Sequence, residues 1–159
     1  MKPTTPTTLL ALAVAGGALM YASELVLLRL GQPIVVPPIT LAVALALLGV
    51  IIPVLAWPVR SLTSGKSPTG YIDPFYATRV LLVSKAGSLT AAALAGGGIG
   101  VLVFLLGRAV IAWPQVLVTS LALAGGILML VGALVAERWC VIPPSDGEES
   151  SPAVEGEPA

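Results

Sequence analysis

Histidine is absent from the chain and cysteine occurs once, at Cys140. Without histidine there is no Ser-His-Asp or Cys-His arrangement and no HExxH motif. A single cysteine closes no disulfide within the chain, and zinc or haem sites lack their usual ligands. No paired carboxylates stand within the apolar segments for acid–base work. The chain is therefore expected not to be an enzyme, with no catalytic, cofactor or metal-binding residues. Charge is scarce as well: 10% of residues are Asp, Glu, Lys or Arg, against about 25% in soluble domains. Too little polar material is present to cover a water-soluble surface.

Apolar residues fill that gap. They make up 57% of the 159 residues. Counted with glycine and without tyrosine they rise to roughly 66%, against a soluble norm near 45–50%. Four apolar stretches, about 8–28, 39–57, 80–106 and 116–135, each approach the ~20 residues that cross ~30 Å of hydrocarbon. None alternates with the period of a transmembrane β-strand. The expected fold class is all-α: a polytopic membrane protein with four transmembrane helices over residues 1–142.

Prolines mark the helix starts. Pro6, Pro37-Pro38 and Pro114 precede or open apolar runs, and Asp73-Pro74 reads as an N-cap followed by a first-turn proline. Residues Pro74 to Leu106 number 33, roughly 50 Å of helix. That length exceeds the hydrocarbon, so either Phe75, Tyr76, Thr78 and Arg79 lie at or beyond the cytoplasmic interface or the helix tilts strongly. Pro53 lies inside helix two, where it deprives the Gly49 carbonyl of its donor and predicts a kink. The first apolar run carries signal-peptide features, Lys2 and Ala11-Leu12-Ala13, but continues nearly to Leu30 and is expected to remain an uncleaved span.

Zero formal net charge conceals an asymmetry. Residues 1–142 carry all eight bases against Glu24, Asp73 and Glu137, a balance of +5, while five acids after Pro143 give −5. The tail 143–159, built of Pro, Ser, Gly, Glu and Ala, is expected to be disordered. The bases stand singly near helix ends, which excludes a nucleic-acid stripe. With four spans, Lys2, Arg60, Lys66, Arg79, Lys85 and Arg138 share one side, and Arg29 and Arg108 the other. The positive-inside rule then places both termini in the cytoplasm. Trp57 and Trp139 mark the inner interface and Trp113 the outer one.

A few residues invite functional readings. Glu24 sits inside helix one, about five residues from its outer end; it is either a satisfied interfacial acid, neutral or paired with Arg29 or, better, Arg108, or a proton or cation site. Lys85 mirrors it near the inner side, either snorkelling, with Glu137 as a candidate partner, or contacting an anion. Ser88, Ala92, Gly96 and Gly100 form a small-residue ladder on helix three. Ala11, Ala15, Ala18 and Ala22 form a stripe on helix one, and Ala42, Ala46 and Gly49 one on helix two. Ala122 with Gly126, and Gly132 with Ala136, do the same on helix four. Such faces let helices approach closely, within the bundle or toward a membrane partner or second copy. Gly96-Gly97-Gly98 is no phosphate loop, since no Lys-Ser or Lys-Thr follows. Cys140 reads as a buried thiol or an interfacial palmitoylation target.

Several segments together resemble a known family. They are Val36-Pro37-Pro38; Asp73-Pro74-Phe75-Tyr76-Ala77-Thr78-Arg79-Val80; Ser84-Lys85-Ala86-Gly87-Ser88 with Ala95-Gly96; and Ala136-Glu137-Arg138-Trp139-Cys140 with Ile142-Pro143-Pro144. They resemble an actinobacterial membrane family catalogued as a domain of unknown function, with four transmembrane helices and genes often beside folate-biosynthesis genes. Val141 stands where that family carries a basic residue, and the acidic run after the Pro pair is shorter here. The resemblance implies a bacterial inner-membrane location and supplies no activity. The functional expectation is a non-catalytic membrane scaffold or accessory subunit; the alternative is a small oligomeric carrier or channel using Glu24 or Lys85.

Overall fold

The computed structural model describes residues 5–63 and 74–140. Four helices account for nearly all of them: α1 (Pro6–Arg29), α2 (Ile39–Thr63), α3 (Pro74–Leu106) and α4 (Trp113–Cys140). All four are long and apolar enough to span a membrane. Prolines stand where the sequence places the helix starts: Pro6 and Pro74 are first residues, Pro38 directly precedes α2, and Pro114 is the second residue of α4. Lys2, Lys66, Asp73, the 65–73 connection and the tail 143–159 lie outside the described residues, and with them the expected Asp73 N-cap.

The helices do not pack in chain order. α1 lies against α3, α3 against α4, and α4 against α2, with a lesser contact between α2 and α3; α1 touches neither α2 nor α4. Only α3–α4 is a packed hairpin of sequence neighbours. α1 and α3 run parallel, as do α2 and α4, while α3 and α4 are antiparallel. The apolar core sits among α2, α3 and α4, around Ile52, Ala56, Ala91, Met129, Ala133 and Ala136. Among the residues of α1, Glu24 alone is buried.

Glycine sets the two parallel contacts. A Cβ on Gly96 would strike the Ala13 carbonyl oxygen, and one on Gly100 the Gly17 carbonyl oxygen. The α2–α4 contact repeats this geometry. A Cβ on Gly125 would stand 2.7 Å from the Ala42 carbonyl oxygen, and one on Gly132 would strike that of Gly49. Backbones this close gain dispersion and weak Cα–H···O contacts, which replace the hydrophobic drive that lipid cannot supply.

The face α1 uses differs from the alanine stripe. Ala11, Ala15, Ala18 and Ala22 are all exposed. Ala13, Gly16, Gly17 and Met20 meet α3 instead. Both faces are small, but only the second carries glycines, and backbone contact needs a missing Cβ. The α3 ladder is buried along its length: Ser88, Ala92, Gly96 and Gly100. α2 continues through Pro53 and Pro58 to Thr63, beyond the span that ends at Trp57. The Gly49 carbonyl, deprived of a donor by Pro53, is the one Gly132 approaches.

Candidate functional site

Buried polar groups gather near both ends of the helices. At the end carrying the 30–38 and 107–112 connections, α1 stops in a glycine C-cap. Gly31 adopts φ 68°. Its N–H bonds the Leu28 carbonyl at 3.1 Å, and the Gln32 N–H bonds that of Leu27 at 2.9 Å. This is a Schellman closure, which turns the chain sharply away from the helix. The chain then folds back on α1, where the Val35 N–H donates to Glu24 Oε1 at 3.2 Å.

Glu24 is 1% exposed, and its Oε2 is buried with no hydrogen-bond partner among the described residues. Advancing the contacts Gly16–Ala93 and Gly97–Met20 by one turn sets Glu24 level with Val101, itself fully buried. The expected ion pair with Arg108 is not formed. Arg108 lies beyond the end of α3, exposed, with its guanidinium carbon 5.9 Å from the centre of the Phe104 ring. Arg29 is likewise exposed and does not reach Glu24. The Glu24 face turns into α3, whereas both arginines occupy the surface.

Beside Glu24 opens a cavity of about 720 Å³ between the ends of α1, α3 and α4. Its wall includes Tyr21, Ile34, Phe104, Arg108 and Gln115. Tyr21 meets Phe104 edge-on, ring centres 6.0 Å apart. Gln115 Oε1 is buried and, like Glu24 Oε2, has no hydrogen-bond partner among the described residues. Thr119, fully buried one turn further along α4, donates to the Gln115 carbonyl at 2.8 Å.

The opposite end holds the other sequence candidates. Ser84 and Ser88 are fully buried and donate to the Leu81 and Lys85 carbonyls of their own helix, both at 2.9 Å. Gly87 faces Ala133. Lys85, half-buried, and Glu137, 5% exposed, therefore stand at about the same level on adjacent helices. Arg79 is exposed and lines a cavity of about 250 Å³ with Ile52, Leu55, Tyr76, Val80 and Val83. The Tyr76 hydroxyl donates to the Leu55 carbonyl at 3.1 Å and ties the start of α3 to α2. Trp57 and Trp139 meet edge-on at 5.9 Å, with the Arg60 guanidinium 4.4 Å from the centre of the Trp139 ring. Cys140 is buried in the core cluster at this end.

The family description "Protein of unknown function (DUF3180)" matches residues 9–144. The chain belongs to this family. The DUF3180 region runs from the first turns of α1 to just past α4, so both polar ends and every helix–helix contact lie within it. No curated protein and no solved structure matches the chain. Within the DUF3180 region, sequence reasoning missed Tyr21, Gly31, Phe104 and Gln115. Gly31 had a local signal, a glycine directly after the last apolar turn of a helix. Gln115 follows the Trp113-Pro114 helix start, where a polar residue is unremarkable. Only the convergence of three helix ends makes it part of a cavity wall.

Proposed function

We propose that the protein is a non-catalytic integral membrane protein of the bacterial inner membrane, with both termini cytoplasmic, that acts by associating with another membrane protein. One observation carries this reading: the middle of the molecule is closed. Between Ser88 and Val101, roughly 20 Å along α3, the buried residues of α3 are alanines and glycines. Backbone contacts seal them against α1. No polar side chain is buried in that stretch, so the two polar ends are not joined within one molecule. A carrier needs such a path. α1 adds support, because α3 holds it on one side only and its remaining faces are largely apolar.

A carrier or channel built from several copies remains the second reading. The unpartnered buried oxygen of Glu24 favours it, since an intramembrane acid without a counter-charge is the usual mark of a proton or cation site. Mild extraction from native membranes through a C-terminal tag, followed by cross-linking and mass spectrometry, separates the two. The accessory-subunit reading expects one foreign membrane protein at stoichiometric yield. A homo-oligomer alone, with proton or cation flux that Glu24→Gln abolishes, would overturn it.

A further inference from the structure

The cavity beside Glu24 does not end at its own walls. Tyr21 and Val103 line it and also line a groove of about 420 Å³ between α1 and α3. That groove is floored by Gly17, Gly96 and Gly100, where the two backbones meet, and Tyr21 is the only polar residue along it among the described residues. From Tyr21 to Leu10 it follows α1 for roughly 16 Å, about the depth of one leaflet of a ~30 Å hydrocarbon core. A polar chamber thus sits at the membrane boundary and an apolar channel descends from it into the leaflet.

The chamber's polar groups specify what it takes. Among the described residues, Arg108 meets only the Phe104 ring, and no carboxylate stands beside its guanidinium. Tyr21 adds a hydroxyl to the wall, while Gln115 Oε1 is buried away from the space. A guanidinium binds phosphate oxygens through charge-assisted hydrogen bonds. From this we infer that the chamber and groove bind one anionic phospholipid. The phosphate lies on Arg108, and one acyl chain lies in the α1–α3 groove. Glu24 is a positioning residue here. Its bond to the Val35 N–H holds down the 30–38 connection, which contributes Ile34 to the chamber wall.

Native mass spectrometry on the full chain in nanodiscs tests the assignment, with phosphatidylglycerol, phosphatidic acid and phosphatidylcholine as probes and glycerol 3-phosphate as a soluble headgroup. The expectation is one anionic lipid, phosphatidylglycerol or phosphatidic acid, retained per chain in preference to phosphatidylcholine. Arg108→Gln should weaken that retention about tenfold or more, the scale of one lost charge-assisted hydrogen bond, and Arg108→Lys should restore part of it. Ala18→Trp, on an exposed position that lines the groove, should weaken all tailed ligands. Unchanged melting temperatures identify the variants that report on binding. Equal retention of phosphatidylcholine, or retention that Arg108→Gln leaves unchanged in a folded protein, would overturn the site. Glycerol 3-phosphate binding as tightly as the lipid would overturn the acyl-chain part and make the chamber a soluble-anion site.

Discussion

At the scale of single residues, the decisive chemical fact is the absence of a Cβ. Gly96 and Gly98 are two residues apart in one helix, yet they face different demands. A methyl on Gly96 would meet the Ala13 backbone, which cannot move without moving α1, while one on Gly98 would rest 3.5 Å from the Leu123 side chain. Gly96→Ala should therefore cost about 1–3 kcal/mol as overpacking does, and Gly98→Ala close to nothing; thermal unfolding in detergent compares them directly. Gly31→Ala should cost about 1 kcal/mol, because its backbone is left-handed and a Cβ is disfavoured there. Glu24 behaves differently from a packing residue. Glu24→Gln retains an oxygen for the Val35 N–H and should keep stability nearly intact, whereas Glu24→Leu leaves that N–H unpaired and should lose about 1–3 kcal/mol.

At the scale of helices, the contacts are parallel pairs rather than sequence neighbours. Gly97 offers a direct check, since a Cβ there would lie 3.9 Å from the Met20 Cβ, within the range disulfides need. In a Cys140→Ala background, Met20→Cys with Gly97→Cys should cross-link readily. Ala18→Cys with Val43→Cys, on helices that do not touch, should not; non-reducing gels distinguish the two. Pro53 shows how an element tolerates its own defect. It strips a donor from the Gly49 carbonyl, and Gly132 of the neighbouring helix approaches that same oxygen. A kink-inducing residue thus serves the α2–α4 contact, a purpose invisible from α2 alone.

At the scale of the molecule, charge sets orientation and packing sets shape. Six bases on one side against two on the other argue for cytoplasmic termini. A reporter fused after Ala159 should accordingly be active only on the cytoplasmic side, and activity outside would reverse the assignment. The closed middle separates the polar ends, and α1 stands as an outrigger on α3.

The number of spans, the helix starts at the prolines and the 33-residue length of α3 were all legible in the chain itself. These depend on local quantities: apolar run length, proline's missing N–H and the thickness of a bilayer. The buried ladder Ser88, Ala92, Gly96 and Gly100 was legible for the same reason, because helical spacing alone places it on one face. Which face of α1 packs was not. The chain's alanine spacing points to Ala11, Ala15, Ala18 and Ala22, whereas Ala13, Gly16, Gly17 and Met20 make the contact, and the carbonyls α3 presents decide it. The Glu24–Arg108 pair failed for a related reason. Sharing a side of the membrane says nothing about which way a helix is rotated, and rotation buried Glu24 while leaving Arg108 at the surface. The chamber formed by Tyr21, Arg108 and Gln115 belongs to tertiary structure entirely, since it exists only where the ends of α1, α3 and α4 converge. Hydrophobicity and chain stiffness act along the sequence and determine the elements. Partner choice, helix rotation and cavities depend on contacts between distant segments, and only packing decides them.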